Sequence, residues 1–136
     1  MPSIKRIDHL AVVVSDLQEA LSFWEDALGL SVSRVETVPA EQSVVAFLPI
    51  GSGEIELVKP TTDDSGTAKF LAKRGPGMHH ICFEVEGLDD LLARLKEHGI
   101  QLINETPVEK ENGVRYAFIH PKSTHGVLVE LYERTE

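Results

Sequence analysis

Two stretches of this chain carry a histidine and a glutamate at matching places: His9 with Glu56, and His80 with Glu130. His9 lies in Ile7-Asp8-His9-Leu10-Ala11-Val12-Val13-Val14, and His80 in Met78-His79-His80-Ile81-Cys82-Phe83-Glu84-Val85. A helix pattern follows each run, and a later strand centred on glutamate closes it: Ile55-Glu56-Leu57-Val58 and Leu128-Val129-Glu130-Leu131. A charged residue inside an apolar strand is costly unless it is paired or bound to a cation. Two imidazoles and two carboxylates suit one divalent ion per chain: Co, Mn, Ni, Zn or Fe(II). Two anionic ligands neutralise such an ion, and its remaining positions stay open to water or substrate.

These residues need strands that present them in register. Residues 7–14 read as a buried, valine-rich strand. Ser15 or Asp16 caps a helix whose Leu17, Leu21, Trp24 and Leu28 fall at helical spacing before Gly29. Strands are expected over 30–38, 43–49 and 54–58. The second half repeats the order: a strand over 79–85, a helix with Leu88, Leu91, Leu92 and Leu95 ended by Gly99, and strands over 100–104, 114–119 and 127–132. Asn112-Gly113 marks a hairpin. A shift of 71 residues carries His9 to His80, Leu17 to Leu88, Leu21 to Leu92 and Ala46-Phe47 to Ala117-Phe118; three more residues carry Glu56 to Glu130. The expected fold is therefore α+β, built from two βαβββ modules. Module one spans 4–59, a linker helix lies in 60–76 and module two spans 77–134, all within a single domain. Alternation along a strand selects His80, not His79, as the partner of His9. It also puts Cys82 on the His80 face as a small apolar filler.

Within the linker, Asp63 to Gly66 cap a short helix over 67–73. It carries a basic cluster, Lys69, Lys73 and Arg74, in an otherwise acidic chain of net charge −9. That charge argues against nucleic acid, which needs clustered Lys and Arg. A hydrophobic fraction of 42% with 26% charged residues is that of a soluble globule. No apolar run reaches membrane-spanning length, so no membrane partner is expected. The single cysteine excludes an internal disulfide, and a reducing cytoplasmic home is the simplest expectation.

With these motifs in hand, the chain resembles the vicinal oxygen chelate (glyoxalase) superfamily and, within it, the methylmalonyl-CoA epimerases. The resemblance runs from Ile7 to Tyr132. It rests on Ile7-Asp8-His9-Leu10-Ala11, Pro39-Ala40-Glu41-Gln42-Ser43-Val44, Ala68-Lys69-Phe70-Leu71 before Gly77-Met78-His79-His80-Ile81, and His120-Pro121-Lys122-Ser123 leading to Gly126-Val127-Leu128-Val129-Glu130-Leu131. The resemblance implies that the two modules form a curved mixed sheet around a metal site, with His9, Glu56, His80 and Glu130 as the metal ligands. It further implies that Glu41 is a proton-transfer base, with Glu130 as a second catalytic carboxylate on the opposite face. The family pattern has glycine where this chain has Ser43. The implied reaction inverts the α carbon of methylmalonyl-CoA through an enolate. An acyl-CoA substrate calls for basic residues, for which Lys69, Lys73 and Lys122 are candidates, with Arg74 and Arg115 beside them. A homodimer is expected from the same resemblance. The alternatives are a glyoxalase I-type lyase acting on a thiol hemiacetal, and a metal-free small-molecule binding protein on the same fold; a ring-cleaving dioxygenase is disfavoured by the fourth ligand, Glu56.

Overall fold

The computed structural model describes residues 1–110 and 113–134. The Asn112 half of the expected hairpin signal lies outside the described residues. The elements in order are strand β1 (Ser3–Val13), helix α1 (Leu17–Leu21) running into a π-helical stretch (Ser22–Ala27), β2 (Arg34–Val38), β3 (Ser43–Ile50), β4 (Gly53–Pro60), α2 (Gly66–Arg74), β5 (Gly77–Glu86), α3 (Leu88–Glu97), β6 (Val108–Glu109), β7 (Val114–Ile119) and β8 (Leu128–Arg134). The fold is mixed α+β. By contacts the chain forms two compact units, His9–His79, and Met1–Asp8 with the chain from His80 onward.

In the His9 unit the strand order is β2-β3-β4-β1. β1 and β4 run parallel, while β2-β3 and β3-β4 are antiparallel. A parallel pair needs a long crossover, and α1 with β2 and β3 supplies it. One sheet face carries buried Ala46, Leu48, Ile55 and Leu57, against which the partly buried Leu17 and Leu21 of α1 and Trp24 of the π-helical stretch pack. The other carries Ala11, Val45, Phe47 and Val58, with Val38 packed against them. Both faces being apolar explains why these strands read as continuous hydrophobic runs rather than clean alternations.

In the His80 unit the order is β1-β5-β8-β7-β6, β1 contributing its residues up to Asp8. β5 and β8 are parallel, and β7 pairs antiparallel with both β8 and β6. Leu88, Leu91 and Leu92 of α3 pack on Val85, Ala117, Ile119 and Leu131. Arg6 of β1 ties to Glu84 of β5 through Nε at 2.7 Å and to Asp8 at 2.7 Å.

Three sequence expectations change. The helix of module one is a single α turn followed by a π-helical stretch, with Leu28 N–H donating to the Phe23 carbonyl at 2.8 Å. The wider π turn moves Leu28 off the inward stripe, and it is exposed. The strand expected over 30–38 pairs only from Arg34 onward. Residues 100–104 form no strand beyond a single bridge, Leu102 to Ile119. Backbone bonds are mixed with side-chain ones there: Ile103 N–H donates to the Phe118 carbonyl at 2.8 Å and His120 N–H to the Gln101 carbonyl at 2.9 Å, while Gln101 N–H donates to Ser123 Oγ at 2.8 Å and the Asn104 side-chain oxygen accepts from Phe118 N–H at 2.8 Å.

Candidate metal and proton-transfer site

Each unit brings its own histidine and glutamate together. In the parallel β1–β4 ladder Ala11 is opposite Glu56, and His9 Nδ1 lies 3.4 Å from Glu56 Oε2. In the parallel β5–β8 ladder Cys82 is opposite Glu130, and His80 Nε2 lies 3.3 Å from Glu130 Oε1. The histidine thus sits two residues before the glutamate's register partner in both modules, so alternation turns both side chains to one face. The four side chains are mostly buried, 12% and 18% exposed in the first pair and 14% and 8% in the second.

These separations fit metal chelation. Two ligand atoms each about 2.1 Å from one ion stand roughly 3.0–3.4 Å apart, depending on whether the ion is octahedral or tetrahedral. Each module therefore offers one imidazole nitrogen and one carboxylate oxygen at the spacing of one edge of a coordination sphere. The repeat extends to an aromatic neighbour. Phe47 is the register partner of Glu56, and Phe118 that of Glu130. Phe118 stands edge-on to His80, ring centroids 5.8 Å apart. The sequence displays these phenylalanines only as part of the repeat; β-hairpin register is what reveals them as flanking the glutamates.

His79 points away from His80 and meets Phe70 of α2 edge-on at 5.0 Å, a structural role. Cys82 is fully buried beside Glu130, consistent with a small filler. Glu41 ends a 3-10 turn (Pro39–Glu41) between β2 and β3 and is exposed. The turn is held at several points. Gln42 adopts a left-handed conformation (φ 52°) and donates its N–H to the Pro39 carbonyl at 3.0 Å. Its own carbonyl accepts from Thr61 N–H at 2.8 Å. Ser43 is buried, and its hydroxyl donates to the Glu41 carbonyl at 3.0 Å. Ser43 therefore braces the Glu41 turn.

Among the basic candidates, Lys69, Lys73 and Arg74 are exposed on α2, and Lys122 is exposed in the turn Pro121–Ser123. His120 shapes that turn, its Nδ1 accepting from Lys122 N–H at 3.0 Å. Arg115 has a different role: it donates to Glu133 at 2.6 Å and Asp89 at 3.0 Å, and these bonds raise its pKa further above the ordinary guanidinium value. It is committed to holding β7, β8 and α3 together.

Residues 8–118 match the glyoxalase/bleomycin resistance protein/dioxygenase superfamily. The chain belongs to that superfamily. It is 42% identical over 130 residues to the uncharacterized protein YqjC of Bacillus subtilis, covering 96% of this chain and 93% of that one. It is 39% identical over 127 residues to the mitochondrial methylmalonyl-CoA epimerase of Mus musculus, an isomerase, covering 93% of this chain and 71% of that protein. A solved methylmalonyl-CoA epimerase in complex with methylmalonyl-CoA and NH4+ superposes with a TM-score of 0.84 at 33% identity, covering 98% of this chain and 96% of that one. Among the described residues, no helix of this superfamily member is long and apolar enough to cross a membrane.

Proposed function

We propose that this protein is a metal-dependent epimerase that interconverts the R and S forms of methylmalonyl-CoA by moving a proton at the α carbon. The observation that carries the reading is the duplicated His–Glu edge, 3.4 Å in one module and 3.3 Å in the other, in a chain resembling methylmalonyl-CoA epimerases over nearly its whole length. In this reading His9, Glu56, His80 and Glu130 together hold one divalent ion, Co, Mn, Ni or Zn. When bound, that ion supplies a Lewis acid that stabilises negative charge developing on the thioester oxygen.

The chain's own residues do the rest. The α carbon lies between a thioester carbonyl and a carboxylate, so losing its proton gives an enolate. Glu41 takes the proton through its carboxylate, and a carboxyl group on the opposite face, Glu130, returns one. The braced turn through Pro39, Ser43 and Thr61 fixes the Glu41 backbone, which supports a base that must meet one C–H bond in one direction. Lys69, Lys73 and Lys122 are the lysines assigned to the phosphate-bearing part of coenzyme A. A cytoplasmic homodimer completes the reading, and sedimentation of the purified protein checks the assembly.

The test is Glu41→Gln. The variant should keep its thermal stability and its metal content while epimerisation falls about a hundredfold or more, the range typical of losing a general base. Turnover near that of the unaltered protein removes Glu41 from the mechanism. Turnover of a glutathione hemithioacetal in place of methylmalonyl-CoA would shift the reading to a glyoxalase I-type lyase.

A further inference from the structure

We infer that Arg34 is an anion-binding residue for the substrate, taking a carboxylate or phosphate oxygen on the sheet face that carries His9 and Glu56. The inference rests on the acyl-CoA reading above and adds a contact that the basic residues of the linker and the Pro121–Ser123 turn do not provide.

Arg34 is opposite Phe47 across β2–β3, and Phe47 is opposite Glu56 across β3–β4. Directly opposed side chains project to the same face. Arg34, Phe47 and Glu56 therefore form one row across three strands. At about 4.8 Å between neighbouring strands, the Arg34 backbone stands roughly 10 Å from that of Glu56. Val38, on the same strand and face as Arg34, packs against the cluster of Ala11, Val45, Phe47 and Val58, which confirms the face by an independent contact.

The guanidinium is held ready. It lies over the Phe47 ring, its central carbon 3.9 Å from the centroid. Its Nε donates to Glu36 Oε1 at 2.8 Å. That bond uses the inner nitrogen of the fork, and the two terminal amino groups make no hydrogen bond to a described residue. Half the side chain, 51%, remains open to solvent. A planar cation stacked on an aromatic ring and tethered through Nε presents its two terminal donors in a fixed direction, the geometry that matches two oxygens of a carboxylate or phosphate. In a chain of net charge −9, a fixed cation near the reacting centre offsets the repulsion of an anionic substrate.

Equilibrium dialysis with full-length protein tests this without relying on turnover. The probes are methylmalonyl-CoA, methylmalonyl-pantetheine, which lacks the phosphates, and propionyl-pantetheine, which lacks both phosphate and carboxylate. Arg34→Ala should weaken methylmalonyl-CoA binding about tenfold or more, with unchanged Tm because the side chain is exposed; Arg34→Lys should recover only part, since an ammonium cannot lie flat on Phe47. A loss seen with methylmalonyl-CoA but not with methylmalonyl-pantetheine assigns the contact to a phosphate. A loss persisting with methylmalonyl-pantetheine but absent with propionyl-pantetheine assigns it to the carboxylate. Arg34→Ala binding methylmalonyl-CoA within twofold of the unaltered protein overturns the inference while leaving the epimerase reading in place. Failure of the unaltered protein to bind any of the thioesters overturns both.

Discussion

Beside His9 and Glu56 the sheet face is built of Ala11, Val38, Val45, Phe47 and Val58. At the matching places beside His80 and Glu130 stand Cys82, Tyr116, Phe118 and Tyr132. The ligand edges agree to 0.1 Å, 3.4 against 3.3 Å, while their surroundings differ in polarity. The first module surrounds its pair with aliphatic groups and a phenylalanine that carries the Arg34 guanidinium. The second surrounds its pair with a thiol, a phenylalanine and two phenols, over which Lys110 and Arg134 lie. Burial raises the Tyr132 pKa above the ordinary tyrosine value, outweighing the opposite pull of nearby Arg134. Strand register fixes where the imidazole and the carboxylate sit, and a duplication preserves it. Neighbouring positions are under no such constraint, and they differ between the two modules.

The same contrast appears at the helix starts. In α1, Asp16 caps its own helix, its side chain accepting from Glu19 N–H at 3.0 Å. A shift of 71 residues turns Asp16 into Gly87. Gly87 has φ 75°, and a Cβ there would stand 3.1 Å from the Pro2 backbone, so a side-chain cap at this position is disfavoured. Glu133 of β8 replaces it, accepting from Gly87 N–H at 2.8 Å and from Leu88 N–H at 3.4 Å while Arg115 holds its other oxygen. One module solves the problem locally, the other through a residue 46 positions away.

The largest expected effect comes from breaking either ligand pair. His9→Ala and His80→Ala should each abolish stoichiometric metal binding and lower epimerisation by at least about a hundredfold, beyond the loss expected for changing a residue that only supports a ligand. Elemental analysis and turnover check it; an unaffected metal content in one variant would mean that one module alone holds the ion. Next come the paired aromatics. Phe118→Leu removes the ring against His80 and should weaken metal affinity about two- to tenfold, as expected for one aromatic contact. Phe47→Leu removes the support of Arg34 instead and should raise KM with little change in metal affinity. Equal metal losses in the two variants would erase the difference between the modules.

The helix caps give the smallest effects. Glu133→Gln should destabilise the fold by about 1–3 kcal/mol, and Asp16→Ala by about 1 kcal/mol. Burial works to raise the Glu133 pKa, but the Arg115 bond and the amides of Gly87 and Leu88 outweigh it and hold the carboxyl below its ordinary value of 4.5. Its contribution is therefore complete above that ordinary value and is lost as pH falls through the lower folded-state value. Chemical denaturation between neutral and acid pH should show a decline that Glu133→Gln reduces.

Much of this was legible in the chain because it follows from period and repeat. Alternation separated His80 from His79, and the 71-residue shift aligned the strands that carry the two His–Glu pairs. The π-helical stretch was not legible, because Leu17, Leu21, Trp24 and Leu28 fit a regular helix and only the hydrogen-bond pattern reveals that Leu28 turns outward. The missing strand near Leu102 escaped for a related reason: side-chain bonds of Ser123 and Asn104 are mixed with backbone ones there, and no hydrophobic period records that. Glu133 and Arg34 act across strands, so their roles depend on register between segments far apart in sequence.

The most direct test follows deuterium at the α carbon. Methylmalonyl-CoA labelled there is incubated with protein stripped of metal and with the same protein given one equivalent of Co or Mn, and label loss to water is read by NMR. The account predicts rapid loss only with metal, suppressed in His9→Ala and His80→Ala alike. Equal loss with and without metal, or none under either condition, would contradict it.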